Sequence, residues 1–512
     1  MKLYDLMTDN RRENILAGSK KPVFSWRVET EKRNVRQESY RVQVWDEQGN
    51  SVWDSGTVES SRMAGIQYEG KELQSGKRMT WHVSCIFSSD EGVITAEEES
   101  SFETAYYNRE DWKGKFIGET KDHEYHLYRK KFGCKKAVKL AKLYVCGMGA
   151  FECWINGKRV SDHVMEPGWT DFRKTCFYTA YDVSEYFAEG ENTENVILVK
   201  LGDCMFNVPG GRYVYFQRSY GKAKLLCQLE LVYEDGSREY VVTDESWKRA
   251  KSPIEFCCIY GGEDFDGRRW TKEYLNSDIS EIWDAAVCVE PPLGELKPAP
   301  MEPLKIKEIY QPVDVREVET GVWQYDLGKN FSGWARIFLK TDGSRAGQKV
   351  VLKTAEKLDE NGRIDQSVTG KDYAWTYVLN DKKEQEFAPD FTYTGFRYVE
   401  MTGAVPEKEI TLQGEFIYPD IDQAGDFSCS NTLFNQIHEI VLQAIKSNTK
   451  SYFTDCPHRE KLGWLEQTHL IGPSIMYNLD VHNLYAKIEG DMADSQRENG
   501  LIPDICPEYV TG

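Results

Sequence analysis

The chain has 512 residues, enough for three or four domains at roughly 150 residues each. Hydrophobic residues make up 40% of it, which excludes a disordered chain. The formal net charge of −19 excludes a polyanion partner such as nucleic acid, because phosphate binding needs clustered Lys and Arg.

The first ten residues, Met1 to Asn10, contain no apolar signal-peptide core, and no run of about 18 apolar residues occurs, so no membrane-spanning helix is expected. Residues 1–105 are expected to form a β-sandwich of the fibronectin type III kind. Ser39 to Trp45 alternates with period two, Asp46-Glu47-Gln48-Gly49-Asn50 turns the chain, and Met79, Trp81, Val83, Cys85 and Phe87 alternate again. Residues 112–295 read as a jelly-roll sandwich. Phe151 to Ile155 leads into Asn156-Gly157, the strongest hairpin dipeptide, and Val196 to Leu201 and Leu225 to Tyr233 are further strands. The Pro-rich run from Glu290 to Pro303 is expected to be a linker. Residues 304–420 are expected to form a third β domain, with strands at Gln324–Gly328 and Trp334–Leu339 around a turn at Asn330-Phe331-Ser332-Gly333.

From Asn431 the period changes. Leu433, Phe434, Ile437, Ile440, Val441, Ala444 and Ile445 recur at helical spacing behind Ser430 or Asn431 as N-cap. A second helix is expected near Trp464, and a third after Asp480, ended by Asn499-Gly500 and Pro503. Residues 421–512 are thus the opening of a helical domain, expected to be incomplete at Gly512. The thirteen cysteines are odd in number and irregular in spacing. Several sit in strand-like runs and read as reduced thiols acting as small hydrophobes, which suggests a cytoplasmic location.

One segment concentrates chemistry. Asp455-Cys456-Pro457-His458-Arg459-Glu460-Lys461-Leu462-Gly463-Trp464-Leu465-Glu466-Gln467 carries three carboxylates, an arginine and a tryptophan. Carboxylates beside an aromatic ring supply what glycosidic bond cleavage needs: an acid, a base and an apolar face for sugar C–H groups. Glu460 and Trp464 are four apart and share a face if the segment is helical. A carboxyl against a tryptophan loses hydration, which raises its pKa toward that of a general acid. The same residues also read structurally, with Arg459 pairing with Asp455 or Glu460 and with Pro457 and Gly463 shaping a loop. A thiol enzyme using Cys456 and His458 is disfavoured by their two-residue separation beside a proline. His438, His458, His469 and His482 lack HExxH spacing, and no D-x-D-x-D-G loop occurs, so no metal or other cofactor is expected.

Thr454 to Trp464 resembles the catalytic motif of bacterial α-L-rhamnosidases, the inverting glycoside hydrolases of family 78. The resemblance extends upstream through Ile155-Asn156-Gly157-Lys158, Pro167-Gly168-Trp169-Thr170-Asp171, Tyr260 to Asp266, Tyr325 to Trp334 and Phe391 to Tyr398. It implies three mainly-β sandwich domains followed by the start of an (α/α)6 barrel. It also implies Glu460 as general acid, Asp455 and Arg459 as substrate contacts, and Trp464 as the wall for the sugar ring. Two departures stand out. The commoner pattern has one more residue between the arginine and the glutamate, and Gln467 replaces a substrate-binding aspartate, with Glu466 beside it. Glu466 either substitutes for that aspartate or faces solvent. The implied substrate is a rhamnose-containing oligosaccharide or glycoside, and a homodimer through the β domains is compatible with the resemblance. The catalytic base of the family lies further downstream, so residues 1–512 are expected to be a fragment of little or no activity. The competing reading is a non-catalytic carbohydrate-binding protein, which would need none of the Asp455–Trp464 cluster.

Overall fold

The computed structural model describes residues 1–12, 16–187, 193–212, 216–276, 278–369 and 372–508, so the end of the expected helical segment, 509–512, lies outside the described residues. They divide into two units. The first comprises Met1–Lys113, Tyr178–Asp182 and Leu296–Pro300, and the second comprises Gly114–Phe177, Val183–Glu295 and Met301–Gly512.

In the first unit, Lys2–Thr8, Val23–Glu29 and Ile66–Gln67 make one sheet, and Arg36–Trp45, Ser51–Asp54, Arg78–Ser89 and Gly92–Thr104 belong to the other. The alternation does what period two dictates. Tyr40, Val42, Val44, Met79, Trp81, Val83, Cys85 and Phe87 all point into one core with Phe24 and Trp26. Asp46 closes the turn by accepting from the backbone of Gln48 and Asn50 at 3.0 and 2.8 Å. The Pro-rich run is not a free linker. Glu295–Pro298 is a strand, and the Ala299 N–H donates to the Tyr178 carbonyl at 3.0 Å. Prolines are tolerated there because an edge position asks fewer N–H donors of the chain.

In the second unit, Asn156-Gly157 joins Ala150–Ile155 to Lys158–Arg159 with φ of 49° and 80°, the mirror-image turn that matches strand twist. Thr193–Gly202 lies between Ala150–Ile155 and His126–Cys134, and Lys224–Tyr233 pairs with Val138–Met148. Ile254–Cys258 and Gly262–Asp266 leave these sheets and extend a ten-stranded sheet, Gly262–Asp266 running parallel to Ala374–Val378. The expected turn at 330–333 is instead part of one 19-residue strand, Val322–Lys340. A register shift between Asp326 and Phe331, with Gly328 at φ 79°, absorbs the irregularity as a bulge, and Phe331 is buried.

Among the described residues four helices follow rather than three: α1 (Thr432–Ser447), α2 (Leu465–Leu470), α3 (Gly472–Asn478) and α4 (His482–Ser495). Asn431 caps α1, its side chain accepting from the Leu433 N–H at 3.0 Å. The extra break comes from Pro473, which cannot donate to the preceding turn and so opens α3 instead of continuing α2. The apolar side of α1 is unpacked: Leu433, Phe434, Ile437 and Ile440 are all exposed, Ile440 at 68%. No described helix is long and apolar enough to cross a membrane.

Candidate active site

The chemistry-bearing segment spans the connection from α1 to α2. It is not helical; residues 457–460 are turn and Lys461 has φ 53°. Glu460 and Trp464 meet all the same, because the chain doubles back: the Trp464 indole N–H donates to Glu460 Oε2 at 2.9 Å. Arg459 donates to the other oxygen, Oε1, at 3.0 Å. The Glu460 backbone is fixed too. Its carbonyl accepts from the Tyr260 hydroxyl at 2.6 Å, and its N–H points to Cys456 Sγ at 3.3 Å.

Asp455 is within electrostatic reach of Glu460. Burial raises the pKa of Asp455, and the Glu460 charge adds to the shift. Its Oδ1 is buried and has no hydrogen-bond partner among the described residues. The geometry therefore brings together Asp455, Arg459, Glu460 and Trp464. Glu466 stands apart, exposed on α2, while its neighbour Gln467 is half-buried with Oε1 unpartnered. Burial pushes the Cys456 thiol up, the wrong direction for a nucleophile.

Two buried lysines anchor this connection to the β-sheet below it. Lys461 is fully buried; its Nζ donates to the Ile259 carbonyl and, at 2.6 Å, to the Tyr393 carbonyl, and lies 4.9 to 5.5 Å from the ring centres of Tyr393, Tyr373 and Tyr260. Burial pushes its pKa down to about 7. Lys450 Nζ donates to Ser332 Oγ at 2.8 Å and to the Ser447 and Thr449 carbonyls, and burial lowers it as well. Gly395 sits where only glycine fits, since a Cβ would come within 2.5 Å of the Pro457 ring, and its N–H donates to the Pro457 carbonyl at 2.9 Å.

Several participants carry no local signal. Glu356, a hundred residues upstream, accepts from Asn330 at 3.1 Å and lies 3.2 Å from His458 Nε2. Burial opposes its charge, but His458 holds its carboxyl below the usual range. Tyr260 and Gly395 belong to stretches that the family resemblance covers; their alignment was the available signal, while their contact with Glu460 and Pro457 was not readable. Among the described residues no group of three or more His, Cys, Asp or Glu is placed to hold a metal.

β-Rich modules thus lead along the chain into a helical segment, with the carboxylate–tryptophan cluster on the connection from α1 to α2. Four consecutive family models match the chain: a Rha78A-like N-terminal immunoglobulin domain (3–108), an α-L-rhamnosidase N-terminal domain (136–308), a bacterial α-L-rhamnosidase concanavalin-like domain (316–418) and a bacterial α-L-rhamnosidase six-hairpin glycosidase domain (422–512). An α-L-rhamnosidase of Formosa agariphila is 29% identical over 96% of this chain and 55% of that protein. The structure of an α-L-rhamnosidase from Dictyoglumus thermophilum superposes with a TM-score of 0.90 at 33% identity, covering 99% of this chain and 59% of that one. For a Streptomyces avermitilis α-L-rhamnosidase complexed with L-rhamnose the TM-score is 0.89 at 20% identity, with 99% and 66% covered, a likeness of fold. The chain belongs to the bacterial α-L-rhamnosidase family. It spans about half the length of the curated relatives it matches.

Proposed function

We propose that the intact gene product removes terminal α-L-rhamnose from rhamnosides by inverting hydrolysis, with Glu460 as the general acid. The observation that carries this is the two-sided grip on Glu460: the Trp464 indole N–H on one oxygen and Arg459 on the other fix a carboxyl at the edge of an aromatic ring. Asp455, with its unpartnered buried oxygen, binds sugar hydroxyls together with Arg459, and the Trp464 ring meets the sugar's C–H face. Glu466 contributes at most from the rim, and Gln467 is the better placed of the two.

Asp455 is assigned to binding; the base is another carboxylate, one that stands roughly 6.5–9.5 Å from the acid to admit water. The same reading divides the chain at 1–105, 112–295, 304–420 and 421–512, and its thirteen cysteines, odd in number and irregular in spacing, favour a reducing compartment.

The test is release of nitrophenol from a panel of nitrophenyl glycosides by the intact gene product and its Glu460→Gln variant. Activity confined to the α-L-rhamnoside and lost about 10²–10⁴-fold in the variant is expected for a general acid. Equal turnover by the variant, or turnover of a different sugar, overturns the assignment.

A further inference from the structure

A cavity of about 620 Å³ in the second unit shares no lining residue with the Asp455–Trp464 segment. Its volume lies within the range of roughly 300–1,000 Å³ typical of small-ligand sites. Part of its lining is aromatic. Trp154 and Trp270 are both half-buried, with ring centres 5.5 Å apart, and Phe338 of the Val322–Lys340 strand is exposed. The two indoles are inclined at 48°, so they form no parallel slot for a flat base, but both line the cavity with aromatic carbon suited to the C–H side of a sugar ring.

The charges sort into paired and unpaired. Buried Lys200 is neutralised by Asp390 at 2.6 Å and Glu152 at 3.3 Å, and its ammonium lies over both indoles. Arg336 is held by Glu415 and Glu386. These networks give the cavity a rigid polar floor. What remains is Lys272, Lys340 and Lys382, all exposed, against Glu384; none of the four is in an ion pair among the described residues. The rim itself is positive, three lysines against one glutamate, while the networks below it set two carboxylates against each cation.

A ligand suited to this site has an apolar ring face and a negative group. We propose that the cavity binds an acidic saccharide, a uronic-acid-bearing oligosaccharide, with its ring face on the tryptophans and its carboxylate at the lysine rim. This site stands independently of the role of Glu460.

The experiment is calorimetric titration of the protein with the α-1,4-linked trisaccharide of galacturonic acid, with neutral galactotriose and AMP as comparison ligands. The trigalacturonate is expected to bind, to weaken with added salt, and to exceed galactotriose by about tenfold, the worth of one charge-assisted contact. Trp270→Ala and Lys382→Glu should each weaken it by a similar factor. Because Trp270 also packs against a core cluster, Phe338→Ala, at an exposed position, repeats the aromatic test should the tryptophan variant unfold. Equal binding of galactotriose overturns the acidic class, and tighter binding of AMP overturns the saccharide. No binding, or binding indifferent to Lys382→Glu and Phe338→Ala, overturns the site.

Discussion

Glu460 is gripped by an indole N–H, a guanidinium and, through its backbone, a tyrosine hydroxyl. Trp464→Phe separates two functions of the tryptophan, keeping an apolar ring while deleting the donor. On the proposed reading, kcat/KM for the nitrophenyl rhamnoside should fall about tenfold with the loss of one hydrogen bond to a charged group; an unchanged kcat/KM would mean that the indole N–H does not hold the acid in place. Lys461 offers a test without substrate. Its pKa is about 7 in the fold against an ordinary 10.5. Between those values the unfolded chain holds a proton that the buried amine has released, so stability rises with pH through this window and falls as pH drops to 7. Lys461→Met lacks this dependence. The difference in Tm should therefore move in favour of the variant from about pH 10 down to pH 7 and stay level below it. A difference independent of pH would show that the Ile259 and Tyr393 carbonyls and the tyrosine rings keep the ammonium charged throughout.

At the scale of elements, the long Val322–Lys340 strand carries the sharpest steric demand. A Cβ at Gly333, where φ is 158°, would stand 1.9 Å from the Glu415 carbonyl oxygen of the paired strand. Gly333→Ala must push the two strands apart, so a loss of about 2–4 kcal/mol is expected in denaturant unfolding, with the slope unchanged. This strand also marks the limit of what sequence shows. Asn330-Phe331-Ser332-Gly333 has turn-forming composition, but the long-range pairing to Thr394–Thr402 and Ile410–Pro419 overrides it. Where a pattern is local it reads true: the Tyr40–Val44 and Met79–Phe87 alternations, the Asn156-Gly157 hairpin and the Asn431 cap are all found in the fold. The grouping of Asp455, Arg459, Glu460 and Trp464 was legible because they are neighbours in the chain. Glu356, Tyr260 and the Tyr393 carbonyl reach the site only through tertiary packing, and no spacing rule places them there.

On the scale of the whole molecule, an unpacked apolar stripe meets a large negative charge. Leu433, Phe434, Ile437, Ile440 and Val441 follow one side of α1 and all are exposed. Apolar patches on monomers seldom exceed roughly 300–600 Å² unless they mark an interaction site or an aggregation liability. The net charge of −19 keeps copies of the 512-residue chain apart only while it is unscreened, and the Debye length shrinks from about 10 Å at 0.1 M salt to about 3 Å at 1 M. Self-association of this chain should therefore increase with salt, opposite to an association driven by charge pairs. Ile440→Glu adds charge at the centre of the stripe. Because the site is exposed, it should leave Tm nearly unchanged, within the roughly 0.5 kcal/mol usual for surface substitutions, while shifting the light-scattering mass toward the monomer. A parent chain that stays monodisperse from low to high salt would show that the stripe does not drive association. Association that weakens as salt rises would assign it to charged surfaces instead.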